Sequence, residues 1–158
     1  MRTLNLIFAT ALMAGLVGCT TTAVLSPSSS KSSQSKYKSV NDVRRSFGLS
    51  ALETDARLQR MANEQARFMA RSKRMKHTAV AGQTFTRRLK RSGYPGLAAE
   101  NIAEGYQTKG ETMDAWVRFR PHRKNMLNRR MKRYGLGVVE TDHPRRGRRK
   151  YWTLILGG

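Results

Sequence analysis

The sequence predicts one small α+β domain whose sheet is covered by helices on both faces. Three observations carry this. Apolar residues recur at helical spacing over the first two thirds of the domain, then give way to short runs rich in β-formers. One of those runs, Tyr151-Trp152-Thr153-Leu154-Ile155-Leu156, is apolar at consecutive positions, as a strand buried on both sides must be. Helices first and strands late argue against a doubly wound nucleotide fold, and no Gly-rich phosphate loop is present. At 158 residues the chain suffices for one domain with a real core.

The elements follow in order. Ser39 or Asn41 caps a short helix running to Phe47 and closed by Gly48. Thr54 or Asp55 opens a stronger helix, with Leu58, Met61, Ala62, Ala66 and Met69 on one face and Arg57, Arg60, Arg67 and Arg71 off that stripe. A third helix spans 84–92, burying Phe85 and Leu89 and stopping at Gly93. Thr108 and Glu111 stand in capping-box spacing at the head of a fourth, whose inward side is Met113, Trp116 and Val117. Pro121 ends that helix or opens the next turn. Residues 134–141 and 151–156 form a β-hairpin joined by a polar loop over 142–150, with His143 exposed in it. The stretch Ala99-Glu100-Asn101-Ile102-Ala103, a single acid among mostly apolar residues, receives no firm assignment.

Before this domain the chain reads as a leader and a tether. Arg2 precedes an apolar stretch over 4–17, a secretory signal in character and too short for a membrane-spanning helix. It ends in Leu16-Val17-Gly18-Cys19, which resembles a bacterial lipobox, and Cys19 is the only cysteine. The resemblance implies cleavage after residue 18 and lipidation of Cys19. It also implies anchoring in the outer membrane facing the periplasm, because Thr20 rather than an aspartate follows. A multiply acylated terminus anchors stably, since each buried methylene contributes about 0.8 kcal/mol. Residues 19–38 carry the lipid and a flexible Ser/Thr-rich tether, and 39–158 the domain. A lone cysteine also excludes an intramolecular disulfide, so the domain depends on packing alone.

The charge bears on partners. The chain has 31 Lys and Arg against 10 Asp and Glu, a formal net charge of +21. At an envelope, such a protein meets lipid head groups, lipopolysaccharide phosphates and acidic cell-wall polymers. Nucleic acid is supported by charge alone, with no reader motif beside it. Basic runs lie at 71–76, 87–91, 129–133 and 145–150, and some of them are expected to merge into a patch that attracts polyanions.

Several short segments, taken in order, carry a resemblance. They are Gly48-Leu49, the Leu58/Ala62/Ala66 helix, His77, Ala99-Glu100-Asn101-Ile102-Ala103, Trp116, His122-Arg123-Lys124-Asn125-Met126-Leu127, Gly135-Leu136-Gly137 and Tyr151-Trp152-Thr153. From about residue 40 to the end the chain resembles the bacterial branch of the CAP superfamily, also called the SCP or PR-1-like domain. The resemblance implies a three-layer α-β-α sandwich and a cleft lined by two histidines and two glutamates. His77, Glu100 and His122 match three of those four positions. The remaining glutamate belongs between His77 and Glu100, but residues 78–99 contain no acid, and neither Gln83 nor Arg88 can serve as a carboxylate base.

Two imidazoles and a carboxylate can hold a divalent cation such as zinc and activate a water on it. The same residues can equally form a satisfied hydrogen-bonded pair with no chemistry attached. His77 and His122 are the candidate metal ligands, while Asn101, Arg123 and Asn125 are candidate supports for the fold around them. Trp116 and Trp152 fit core packing. The sequence thus supports an envelope binding module for anionic glycans or lipids. Its alternative is a metal-dependent hydrolase acting on cell-wall or peptide substrates.

Overall fold

The structure, a computed structural model, describes residues 34–158. The leader, Cys19 and the greater part of the expected tether lie outside these residues. Five helices and four strands follow in the order α1 (Val40–Ser46), β1 (Glu53–Thr54), α2 (Ala56–Ser72), α3 (Phe85–Ser92), β2 (Ala98–Glu104), α4 (Lys109–Arg118), α5 (Arg120–Met126), β3 (Arg133–His143) and β4 (Gly147–Gly157). Local chemistry sets the helix starts. Ser39 caps α1, Asp55 accepts from the Arg57 and Leu58 amides at the head of α2, Thr84 caps α3, and Thr108 with Glu111 closes a full capping box on α4. Lys73 and Gly93 end α2 and α3 in left-handed conformation.

One sheet holds all four strands in the order β1-β3-β4-β2. β1 pairs parallel with β3, and the other neighbours are antiparallel. β4 is central and divides the core. Ile155 packs with Leu58, Met61 and Ala62 of α2, and Tyr151 with Met69 and Ala70. On the opposite face Trp152, Leu154 and Leu156 meet Val40, Val43, Met113, Trp116 and Met126. Consecutive apolar residues in β4 therefore serve two cores at once, and the result is a three-layer sandwich with α2 and α3 on one side and α1, α4 and α5 on the other. Arg44 of α1, almost wholly buried, ties the far layer together by donating to the carbonyls of Ser50, Met126 and Asn128 at 2.8, 2.8 and 3.0 Å.

α2 lies directly on β3. A Cβ on Gly135 would come within 2.3 Å of the Gln59 amide nitrogen, and one on Gly137 within 2.5 Å of the Ala62 carbonyl carbon. The Gln59 side chain completes the contact as a surrogate strand, donating to the Leu136 carbonyl at 2.8 Å and accepting its amide at 3.1 Å.

Four expectations are corrected, and one open stretch is assigned. The unassigned stretch around Glu100 is a strand, β2, paired along its length with β4. The hairpin loop is only Pro144-Arg145-Arg146, because β3 and β4 extend well beyond the apolar runs. The residue after it, Gly147, has φ 62, a left-handed conformation that glycine adopts without strain. His143 is partly buried at the end of β3, and its Nδ1 accepts the Arg145 amide at 3.2 Å. The domain begins before residue 39: Tyr37 is buried in the core, and Asp114 accepts the Lys36 and Tyr37 amides. Finally, Phe85 and Leu89 are only partly buried, and the wholly buried residue of α3 is Arg88.

The close approach of α2 to β3 is testable. Gly137→Ala inserts a methyl where backbone already stands, and should cost about 1–3 kcal/mol or more in urea denaturation. Unchanged stability would mean that α2 does not rest on β3 at this distance.

Candidate functional site

β2 is an edge strand, and the candidate residues gather around it from both layers. Side chains alternate along it. Ile102 packs toward α2, whereas Ala103 packs toward α4 and α5. Glu100 therefore projects into the α2–α3 side and Asn101 into the α4–α5 side. The sequence places an acid and an amide next to each other, and the pleat sends them to opposite cores.

Glu100 is the centre of the first side. Its side chain is 2 % exposed and that of Arg88 is 0 % exposed. Arg88 grips it with both prongs of the guanidinium: Nη1 donates to Oε2 at 2.8 Å and Nη2 to Oε1 at 3.0 Å. His77 Nδ1 meets the same Oε1 at 2.8 Å. Arg88 also donates through Nη2 to the His77 carbonyl at 3.0 Å and through Nε to the Gln83 carbonyl at 3.3 Å. Gln65, buried in α2, donates to the Lys76 carbonyl at 2.7 Å from below. The segment after α2 has no regular structure, and these bonds hold it in place. A carboxylate gripped by a guanidinium is ionised and only accepts, so the proton on the contacting nitrogen belongs to His77. Nε2 is then the free nitrogen of a ring that is 54 % exposed.

The second side is built by Asn101. Its Nδ2 donates to the His122 carbonyl at 3.1 Å, and its Oδ1 accepts from Asn125 Nδ2 at 2.9 Å. Arg123 Nη1 donates to the Val117 carbonyl at 3.0 Å and so locks α5 against the end of α4. Trp116 is buried and donates through Nε1 to the Ile102 carbonyl at 3.0 Å, which covers part of the free edge of β2. The His122 ring stands edge-on to Trp116 and Phe119, at 6.3 and 4.8 Å between centroids. Burial lowers its pKa below the ordinary 6.5, and the neighbouring His77 adds a smaller push in the same direction. A largely apolar cavity of about 300 Å³ opens beside it, lined by Met75, Ile102, Tyr106, Trp116, Phe119 and His122 among others.

His77 and Glu100 are thus in direct contact, and His122, carried by α5 on the other face of β2, lies near enough to His77 to feel its charge. Asn101, Arg123 and Asn125 do not enter the cleft, and instead fix the helix that carries His122. The residue that the sequence reading passed over is Arg88. Its signal was present: it stands three residues after Phe85 and one before Leu89, on the inward stripe of α3. A run of four bases at Arg87, Arg88, Lys90 and Arg91 hid it.

A model of the cysteine-rich secretory protein (CAP) family matches residues 37–156. The chain belongs to the CAP family. It is 31 % identical over 124 residues to the uncharacterized protein YkwD of Bacillus subtilis, covering 77 % of this chain and 48 % of that protein. The chain therefore spans about half the length of that relative. An extracellular protein of Bacillus anthracis containing an SCP domain superposes with a TM-score of 0.61 at 28 % identity, over 75 % of this chain and 37 % of that one. An outer surface protein of Borrelia burgdorferi gives the same TM-score at 20 % identity, over 75 % of this chain and 85 % of that one, and shows the shared fold.

Within this CAP domain the donor set does not fit a catalytic zinc site. Such a site uses three protein ligands and an open position. Both Glu100 oxygens are engaged by Arg88, and one of them also by His77, which leaves two imidazoles to offer a metal. The stretch in which the CAP resemblance places a second glutamate supplies a cation instead. Metal-assisted hydrolysis would need a carboxylate that is already held.

Two consequences can be measured. Arg88→Met leaves a buried carboxylate without its cation and should cost about 3–5 kcal/mol in denaturant unfolding. The double variant Arg88→Met/Glu100→Leu should recover most of that loss, and a double variant no more stable than the single one would contradict the pairing. The second concerns pH. The unfolded His122 binds a proton more readily than the folded one, so its contribution to stability is present above about 6.5 and falls as pH drops below it, toward the depressed folded value. His122→Gln should flatten the stability profile in that window. A profile that keeps its slope would assign the titration to another group.

Proposed function

We propose that this CAP domain is a lipid-anchored envelope module that binds anionic glycans or lipids, and that its cleft is a ligand-positioning feature rather than a hydrolytic centre. One observation carries the reading: most of the few acids are engaged within the domain, while most of the basic side chains, Arg44 and Arg88 excepted, face out. Asp55 and Glu111 cap helices, and Asp114 holds the backbone at Lys36 and Tyr37. Glu64, Glu100, Glu104 and Glu140 each pair with a basic side chain. Of 31 Lys and Arg against 10 Asp and Glu, most cations must therefore find their counter-charge outside the molecule.

The anchor rests on the lipobox-like Leu16-Val17-Gly18-Cys19. Among the described residues no helix is long and apolar enough to cross a membrane. The description of the Bacillus anthracis relative as extracellular agrees with a place outside the cytoplasm.

Membrane fractionation separates anchor from charge in one experiment. Wild type should stay with the envelope through a wash of about 0.5 M salt, where exposed charges are screened within a few Å. Cys19→Ser should sediment with envelopes at low salt and wash off at high salt. A Cys19→Ser chain already soluble at low salt would remove the case for anion binding. Wild type released by salt would remove the case for the lipid.

A further inference from the structure

The basic residues are not spread evenly. α2 and α3 pack side by side, and between them runs a groove of about 250 Å³, lined on the α2 wall by Arg57, Arg60, Glu64 and Arg67 and on the α3 wall by Arg91 and by Arg88, which Glu100 already holds. The four α2 positions fall at intervals of three, four and three residues. That spacing keeps them on one side of a helix, next to the stripe that Leu58 and Met61 bury.

Besides Arg88, two of the arginines are fixed. Arg57 Nη1 donates to the Gly93 carbonyl at 2.8 Å, holding the end of α3. Arg91 reaches across the groove, with Nη2 on Glu64 Oε1 and Nη1 on Gln83 Oε1, both at 2.7 Å. The one acid in the groove is thereby neutralised. Arg60 and Arg67 are exposed, and among the described residues their side chains make no hydrogen bond or ion pair. With a rise of 1.5 Å per residue, they lie roughly 10 Å apart along α2.

We propose that this groove is a binding site for the phosphate groups of a phosphodiester chain, with Arg60 and Arg67 as its primary contacts and Arg57 and Arg91 as a pre-positioned second rank. The inference deepens the anion-binding reading above and rests on it. Guanidinium chemistry selects the ligand. The groove's cations are all arginines, and arginine forks match phosphate oxygens two at a time. Guanidiniums approach from two walls, which suits a tetrahedral anion with acceptor oxygens on several sides better than a planar carboxylate. The layout selects the form: a concave groove with two free cations along its length admits a chain of spaced charges, whereas a flat bilayer meets convex surface.

Calorimetry on the full chain in detergent tests this, with tripolyphosphate and polyglutamate as probes at about 0.15 M salt. Wild type should bind tripolyphosphate more tightly than polyglutamate of matched charge. Arg60→Gln/Arg67→Gln should weaken tripolyphosphate binding by about tenfold or more, since each charged hydrogen-bond partner contributes about 1.5–3 kcal/mol. The control Arg129→Gln/Arg145→Gln removes the same two charges from exposed positions elsewhere and should change it by less than about threefold. Equal losses in the two variants, or none in the groove variant, would overturn the groove while leaving anion binding intact. Preference for polyglutamate would overturn the phosphate assignment. A wild type that binds neither probe would sink the groove and the anion-binding reading together. As a further arm, phosphatidylglycerol vesicles should be bound equally by the groove variant and the control. Selective loss of vesicle binding in the groove variant would assign the groove to lipid headgroups and overturn the proposal.

Discussion

A carboxylate taken out of water needs a cation and hydrogen bonds, and Glu100's need for them organises one whole side of this molecule. Arg88 meets that need from α3, with two bonds to the carboxylate and one to the His77 carbonyl. The same guanidinium thus links β2, α3 and the irregular segment after α2. The His77 ring points at Glu100 because its backbone is held there. Charges buried in this way need every partner in place, and removing one member costs far more than the pair contributes over an apolar alternative. The arrangement gives specificity of position, which a cleft requires.

The same economy of acids explains the surface. Each carboxylate with an assigned task is spent on a cap, a backbone clasp or an ion pair, and little negative charge is left to offset the outward arginines. The basic runs differ accordingly. The hairpin bases are partly answered by Glu104 and Glu140, while among the described residues Arg60 and Arg67 on α2 pair with no acid. Basic sequence is a poor guide to which of these faces is open, because partners come from elements far away in the chain.

The CAP fold reaches this result without a disulfide among the described residues, relying on a central strand that is buried on both faces and on glycines that let α2 settle onto β3. Packing of this density leaves the cleft at the edge strand, where β2 has a neighbour on one side only and two layers of helix can each contribute a histidine.

What the sequence determined by itself were the features set by neighbours within a few residues. Ser39, Asp55, Thr84 and Thr108 announce helix starts, Gly93 announces a stop, and the apolar run of β4 announces a strand between two layers. His77, Glu100 and His122 were nameable from the order of short segments. Tertiary structure decided what these residues are able to do. That β2 is a strand depended on β4 lying beside it, since seven residues containing two glutamates and an asparagine lack a clear strand signature. That Arg88 is buried against Glu100, twelve residues on, depended on α3 folding over the sheet, and in the sequence it is one base in a basic run. Short-range rules fix where a helix begins. Which charge is paired, and which is left for a ligand, is fixed by contacts that exist only once the layers have closed.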